Sequence, residues 1–466
     1  MMFKHQPRRL GVFALLVALM AWCTLFAPAA QAQGSAEGRP FRDSLGLVVK
    51  FSQGQPMSQL PLLGELGLRW VRDTVMWADM EPKAGQYSEL PAAFKQRLAY
   101  YREHKISVVF MLAYANGKAY PATKDDPLAP INPEAFGRYA VHMAKVLKQS
   151  GVNFVLEVWN EPHNFVIAKM VGGQWNGKPP SPWVKHYVKM VTEVVEQVKA
   201  VDPSVKIIDC EDVWVAHYWF MEAGLPKALD GFGIHPYSGH NAVGPEVSAA
   251  YEKTDWALPF QLVDRDRSFN SAVRRLRDQG LKKMGKRPEI WITEWGWSVG
   301  EKTPDGPVTE DMLAAFLPRS FISSVAAGVE VLCWFSAQDT VDGPMGLVTN
   351  DGRKRPAFGA YKTMVAELGD LSFGQQLGGL GRPTQGVQAY LFKGAGVRKV
   401  VLWSSDNKAR TFKVKGAWSI KKAVNLQGAE IDIDDPKAKS VTVGPEPIYL
   451  TLDGNDTPKW SDDLVQ

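Results

Sequence analysis

Apolar and polar positions along this chain alternate between two periods. Short β-branched or aromatic runs of strand length are followed by segments whose apolar residues recur every three or four positions, the spacing of an amphipathic helix. The pattern predicts strands at Leu45–Phe51, Trp70–Trp77, Ile106–Tyr114, from Val155, at Val205–Val213, Asp230–Tyr237, Glu289–Trp297 and Glu330–Ser336. Helices are predicted at Met57–Leu66, Pro91–His104, Pro133–Gly151, Trp183–Val201, from about His217, at Ser268–Met284, Glu310–Gly328 and Pro356–Leu368. Eight strand–helix units over about 330 residues imply a parallel sheet closed into a (β/α)8 TIM barrel. A doubly wound open sheet is the alternative, but no glycine-rich phosphate turn follows the first strand.

The pattern changes near Leu371. Runs at Val387–Phe392, Lys399–Trp403, Ala409–Val414, Ser440–Val443 and Ile448–Leu452 alternate with Gly, Asn, Asp and Pro, as in a small antiparallel β-sandwich. The expected organisation is a leader at 1–32, a catalytic barrel at 41–370, a β-sandwich at 371–453 and a disordered tail at 454–466.

The leader assignment rests on Lys4, Arg8 and Arg9, the apolar run Gly11 to Phe26, and Ala30-Gln31-Ala32, which fits small-x-small cleavage before Gln33. It implies a secreted or periplasmic protein, with no stable membrane span after cleavage; an uncleaved anchor is the minority reading. The net charge of +5 falls to about +2 once those three basic residues leave, too little for a nucleic-acid footprint. Cys210 and Cys333 then remain, both in apolar strands and without CxxC or His spacing. They read as free core thiols, and no metal or cofactor is expected.

Candidate chemistry concentrates in Val155-Leu156-Glu157-Val158-Trp159-Asn160-Glu161-Pro162. Alternation places Glu157, Trp159 and Glu161 on one face, with Glu161 at the carboxyl end, where parallel α/β folds place their sites. A second carboxylate, Glu294, ends the predicted seventh strand in Ile290-Trp291-Ile292-Thr293-Glu294-Trp295-Gly296-Trp297. The ends of strands four and seven face each other across a barrel mouth. Two opposed carboxylates can break a glycosidic bond, retaining configuration at about 5–5.5 Å separation and inverting it at about 6.5–9.5 Å.

Trp159-Asn160-Glu161-Pro162 with Thr293-Glu294-Trp295-Gly296 resembles clan A of the retaining glycoside hydrolases. Arg72 on strand two, His235-Pro236-Tyr237 on strand six, Trp334 on strand eight, the rim Trp77-Ala78-Asp79-Met80-Glu81-Pro82 and the lead into the last helix, Asp351-Gly352 with Lys354-Arg355-Pro356-Ala357-Phe358, agree. The resemblance spans roughly 45 to 368 and is nearest in feel to family thirty-nine, which holds β-xylosidases, α-L-iduronidases and bacterial exopolysaccharide endo-glycosidases. It implies Glu161 as acid/base and Glu294 as nucleophile, one pKa raised by their mutual repulsion. It implies that Arg72 keeps Glu294 ionised, Asn160 binds the sugar 2-hydroxyl, and His235 and Tyr237 orient the two acids. Trp334 would be the stacking floor of the cleaved sugar, and Trp77, His163 and Trp295 rim residues.

Other residues have plainer readings. Glu157, deeper in the barrel, is expected to pair with Arg69 or Arg72, and Glu81 to accept from loop amides. The basic run Arg274–Lys286 is read as a solvated helix face. The expectation is thus an exported retaining glycoside hydrolase acting on a polysaccharide or oligosaccharide, endo-acting on a bacterial exopolysaccharide. A non-catalytic carbohydrate-binding protein and a transglycosylase are the alternatives. The sugar, its linkage and the oligomeric state are open.

Overall fold

The computed structural model describes residues 38–164, 166–173, 181–237, 244–247, 268–379, 386–406, 408–413, 419–433 and 440–453. The leader, Trp175, most of the segment after strand six, and the tail lie outside them. No helix among the described residues is long and apolar enough to cross a membrane.

Eight parallel strands close into a barrel in sequential order: β1 Leu45–Val48, β2 Trp70–Asp73, β3 Ser107–Leu112, β4 Phe154–Val158, β5 Lys206–Glu211, β6 Gly231–Ile234, β7 Glu289–Trp295 and β8 Leu332–Trp334. Helices Leu60–Leu66, Ala92–Glu103, Pro133–Ser150, Pro182–Val201, Trp214–Glu222, Phe269–Met284, Glu310–Ala326 and Pro356–Leu368 follow the strands one by one. Local chemistry sets several starts. Asn132, Ser268 and Thr309 each accept a backbone N–H of the first turn, and Pro133, Pro182 and Pro356 open their helices where no N–H is needed.

The strands divide their side chains between two layers. Leu47, Val71, Val108, Phe110, Leu156, Ile207, Ile292 and Trp334 face the helices, in the main core. Val48, Val109, Val155, Ile208, Trp291, Val331, Cys333 and Phe335 fill the lumen. Trp70 and Trp291 meet edge-on at 5.1 Å and plug its amino-terminal end. Cys210 and Cys333 are free and buried.

The carboxyl-terminal sheet has five antiparallel strands in the order Ser372–Gly378, Val387–Gly394, Val397–Ser404, Ile448–Asp453, Ser419–Val424. Of these, Ser372–Gly378 and Ser419–Val424 were absent from the alternation read in the sequence. A two-stranded sheet pairs Arg410–Lys413 with Ser440–Val443. Alternation gives the larger sheet two apolar faces. Tyr390, Phe392, Val401, Trp403 and Tyr449 join the barrel's core, while Ala389, Leu391, Val400, Leu402 and Leu450 pack with Phe412, Val441 and Val443. The architecture is a TIM barrel with a β-sandwich docked on it.

Candidate active site

Glu161 reaches the barrel mouth through an irregular backbone. Trp159 has φ 70° and Glu161 φ 44°, both in the left-handed region that side chains disfavour. The irregularity ends the two-residue alternation, and this corrects the expected common face. Glu157 points into the lumen, where it pairs with Arg72, but Trp159 turns outward onto Tyr114 and Phe136.

Glu294 is delivered by another irregularity. Between the pairs Ile292–Leu332 and Trp295–Trp334, β7 carries one residue more than β8. Such a bulge re-aims side chains. Ile292 and Trp295 both stay on the helix side, whereas Thr293 and Glu294 both reach lumen partners. Gly296 allows the strand ends to close, since a Cβ there would lie 2.3 Å from the Phe335 carbonyl.

The two acids converge. A carboxylate oxygen of Glu161, one of Glu294 and a ring nitrogen of His235 lie within 4.8 Å of one another. Arg72 holds the floor: its Nε donates to Glu157 Oε2 at 2.6 Å, one terminal nitrogen donates to Glu294, and the other donates to Asn160 Oδ1 at 2.7 Å. Burial alone would depress the guanidinium, but Glu157 and Glu294 raise it well above its ordinary value. Tyr237 donates its hydroxyl to Glu294 Oε2 at 3.1 Å. With Oδ1 committed to Arg72, Asn160 has its amide N–H groups to offer a ligand.

His235 is buried between the acids. Its Nδ1 lies 2.7 Å from Glu161 Oε1, and its Nε2 lies 3.0 Å from Thr293 Oγ1. Burial pushes the Glu161 carboxyl up, but the hydrogen bond and charge of His235, aided by Asn164, bring it down to about 2. Burial likewise opposes the imidazolium, yet Glu294 and Glu161 raise it above its ordinary value. This corrects the expectation that repulsion between the carboxylates raises the acid's pKa. Both shifts favour the proton on His235 over the proton on Glu161.

A second cluster flanks Glu161. His163 Nδ1 lies 2.5 Å from Glu211 Oε1 and 3.1 Å from Asp212 Oδ1, and Asn164 donates to both Glu161 and Asp212. Burial, with the Glu161 charge adding to it, pushes Glu211 up to about 7. Sequence reasoning overlooked Glu211 and Asp212, although their position at the end of a fifth strand was available as a signal.

Three aromatic assignments need correction. Trp77 is sealed under the rim, its Nε1 donating to Glu81 and its ring between Tyr120 and Tyr139. Trp295 stacks on Phe269 behind the barrel wall. Trp334 also lies on the helix side, against Trp297. The aromatic facing the lumen is its neighbour Phe335, the residue after β8, which packs in the cluster that Tyr237 borders. Glu81 accepts from Gly85 N and Tyr120 besides Trp77.

Cation-donor groupings exist on both sides of His235: Glu157, Cys210 and His235 below, and Glu161, His235 and Glu294 above. Arg72 already supplies a positive charge to Glu157 and Glu294, which removes the electrostatic demand a metal would meet.

No protein-family model matches the sequence, and no curated protein does. Solved structures do match. The chain is similar in fold to glycoside hydrolases of families 39 and 30. A family 39 glycoside hydrolase from Bacteroides cellulosilyticus aligns over 90% of this chain and 82% of its own at TM-score 0.67, with 19% identity. A family 39 β-xylosidase from Caulobacter crescentus aligns over 88% and 96% at TM-score 0.55 and 14% identity. A family 30 subfamily 8 xylanase from Clostridium acetobutylicum aligns over 88% and 96% at 0.55 and 12%. At such identities the likeness concerns the fold.

Proposed function

We propose that this chain is a retaining glycoside hydrolase in which Glu161 is the acid/base and Glu294 the nucleophile. The observation carrying this reading is the approach of the two carboxylates to within 4.8 Å at the barrel mouth. That separation matches the 5 Å or so of retaining sites and leaves no room for the water an inverting site places between sugar and base.

The surrounding groups fit the double displacement. Arg72 and Tyr237 fix the two oxygens of Glu294, so the carboxylate faces an anomeric carbon without first reorganising. Attack yields a glycosyl ester on Glu294. The leaving oxygen takes a proton relayed through Glu161 from the imidazolium of His235, which leaves His235 neutral and Glu161 ionised. Glu161, then ionised, draws a proton from water, which opens the ester with a second inversion. Asn160 is placed to donate to the sugar 2-hydroxyl, a contact that tightens as oxocarbenium character develops.

Export is supported by the leader-like first residues, and action within a bacterial polysaccharide chain by the long connections after strands three, four and six. The decisive experiment measures released oligosaccharides from a polysaccharide panel, with the anomeric configuration followed by NMR. Wild-type protein should release sugars of retained configuration. Glu294→Gln should abolish release yet keep binding. Glu161→Ala should lose about 10²–10⁴-fold on substrates with poor leaving groups and be rescued by azide as a retained glycosyl azide. Inverted product, or full activity in both variants, would refute the assignment.

A further inference from the structure

Lys50 lies two residues beyond Val48, the lumen residue that ends β1. Its backbone is fixed by Gln55, whose side chain accepts from Lys50 N at 2.8 Å and whose N–H donates to Lys50 O at 3.1 Å. The half-buried side chain places Nζ 5.0 Å from the centre of the Phe335 ring. Phe335, the residue after β8, faces the lumen, and its N–H donates to Trp295 O, one residue from Glu294. Among the described residues, no carboxylate lies within ion-pair distance of Lys50 Nζ. The acid on the adjoining loop, Asp339, is taken by Arg355 at 2.7 and 2.9 Å. Arg72, the cation beside Glu294, is consumed by Glu157, Glu294 and Asn160.

A half-desolvated ammonium held on an aromatic face, with no counter-charge among the described residues, is an incomplete site. We infer that Lys50 binds an anionic oxygen substituent on the sugar whose anomeric carbon faces Glu294, so that this barrel acts on a polysaccharide with acidic residues on the glycone side. The class is a sugar bearing a carboxylate or a sulfate half-ester. The inference deepens the hydrolase reading and rests on it for the place of the glycone.

The test is titration of full-length Glu294→Gln protein at 0.15 M salt. Probes are glucuronate, galacturonate, glucose 6-sulfate and their neutral parents, then oligogalacturonates, oligomannuronates and neutral xylo- and manno-oligosaccharides, followed by thermal shift and calorimetry. At least one anionic probe should bind about tenfold or more tighter than its neutral parent, the usual value of a charge-assisted hydrogen bond. The carboxylate and sulfate arms separate the two sources. Lys50→Met should erase the preference and Lys50→Arg should keep it. Equal binding of charged and neutral probes, no shift with any anionic probe, or a preference surviving in Lys50→Met would overturn the inference. Cleavage by wild-type protein is read separately. An anionic oligosaccharide held through Lys50 but never cut would sink the hydrolase reading alone, and cleavage restricted to neutral chains would sink the anion site alone.

Discussion

The imidazole of His235 and the carboxylate of Glu161 meet at 2.7 Å in a buried contact, and this pair determines where the site keeps its proton. Glu161 lies near 2 and His235 above its ordinary value. The pair therefore holds the proton on the imidazole beyond about pH 6.5. The alkaline limb of kcat/KM should fall above that value in the wild type. In His235→Gln the proton must reside on Glu161 itself, so the limb should move to lower pH. An unchanged limb in the variant would show that His235 does not hold the proton.

The same pair sets a stability window. Glu161's depressed value contributes stability above its unfolded pKa of about 4.3, lost as pH falls through about 2. His235's raised value contributes below about pH 6.5, lost as pH climbs through its folded pKa. The wild type should outlast His235→Gln most clearly between those unfolded values, as chemical denaturation at several pH values will measure.

Glu211 has the opposite sign. A carboxyl raised to about 7 binds a proton in the folded state that the unfolded chain releases near pH 4.3, so stability declines between those values as pH rises. Glu211→Gln should remove up to ~3 kcal/mol of that decline. Melting curves at pH 5 and pH 8 should therefore converge in the variant.

Arg72 is the shared partner of two buried carboxylates. Arg72→Met should cost about 3–5 kcal/mol, because Glu157 and Glu294 are left uncompensated. Arg72→Met combined with Glu157→Met should recover part of this loss, a coupling that a double-mutant cycle reads directly.

Phe335 and Trp334 are adjacent but face opposite sides of the barrel wall. Trp334→Ala should cost about 3–5 kcal/mol of stability as a core truncation. Phe335→Ala, which truncates a buried ring beside the strand that carries Glu294, should lower kcat/KM as well as stability. Comparison of denaturation and steady-state kinetics will separate the two effects.

Much of this protein was legible without coordinates. Hydrophobic period and turn residues determine strand and helix identity locally, so eight alternating units sufficed for the barrel. Strand-end Glu161 and Glu294 also followed from position, and so did a basic partner for Glu157, left between Arg69 and Arg72 until the structure chose Arg72. Some errors arose where backbone geometry departs from the regular repeat. Left-handed residues at Trp159 and Glu161 and the bulge before Trp295 break the alternation on which facing arguments depend. Trp159 and Trp295 therefore lie on the side opposite to the one alternation gives, whereas Trp334 and Phe335 alternate regularly and the error there came from carrying a role over to Trp334 from the resemblance. Proton placement was likewise beyond the chain's pattern. It depends on which charges meet in a low-dielectric interior, and His235, Glu161 and Glu294 are brought together only by closure of the barrel.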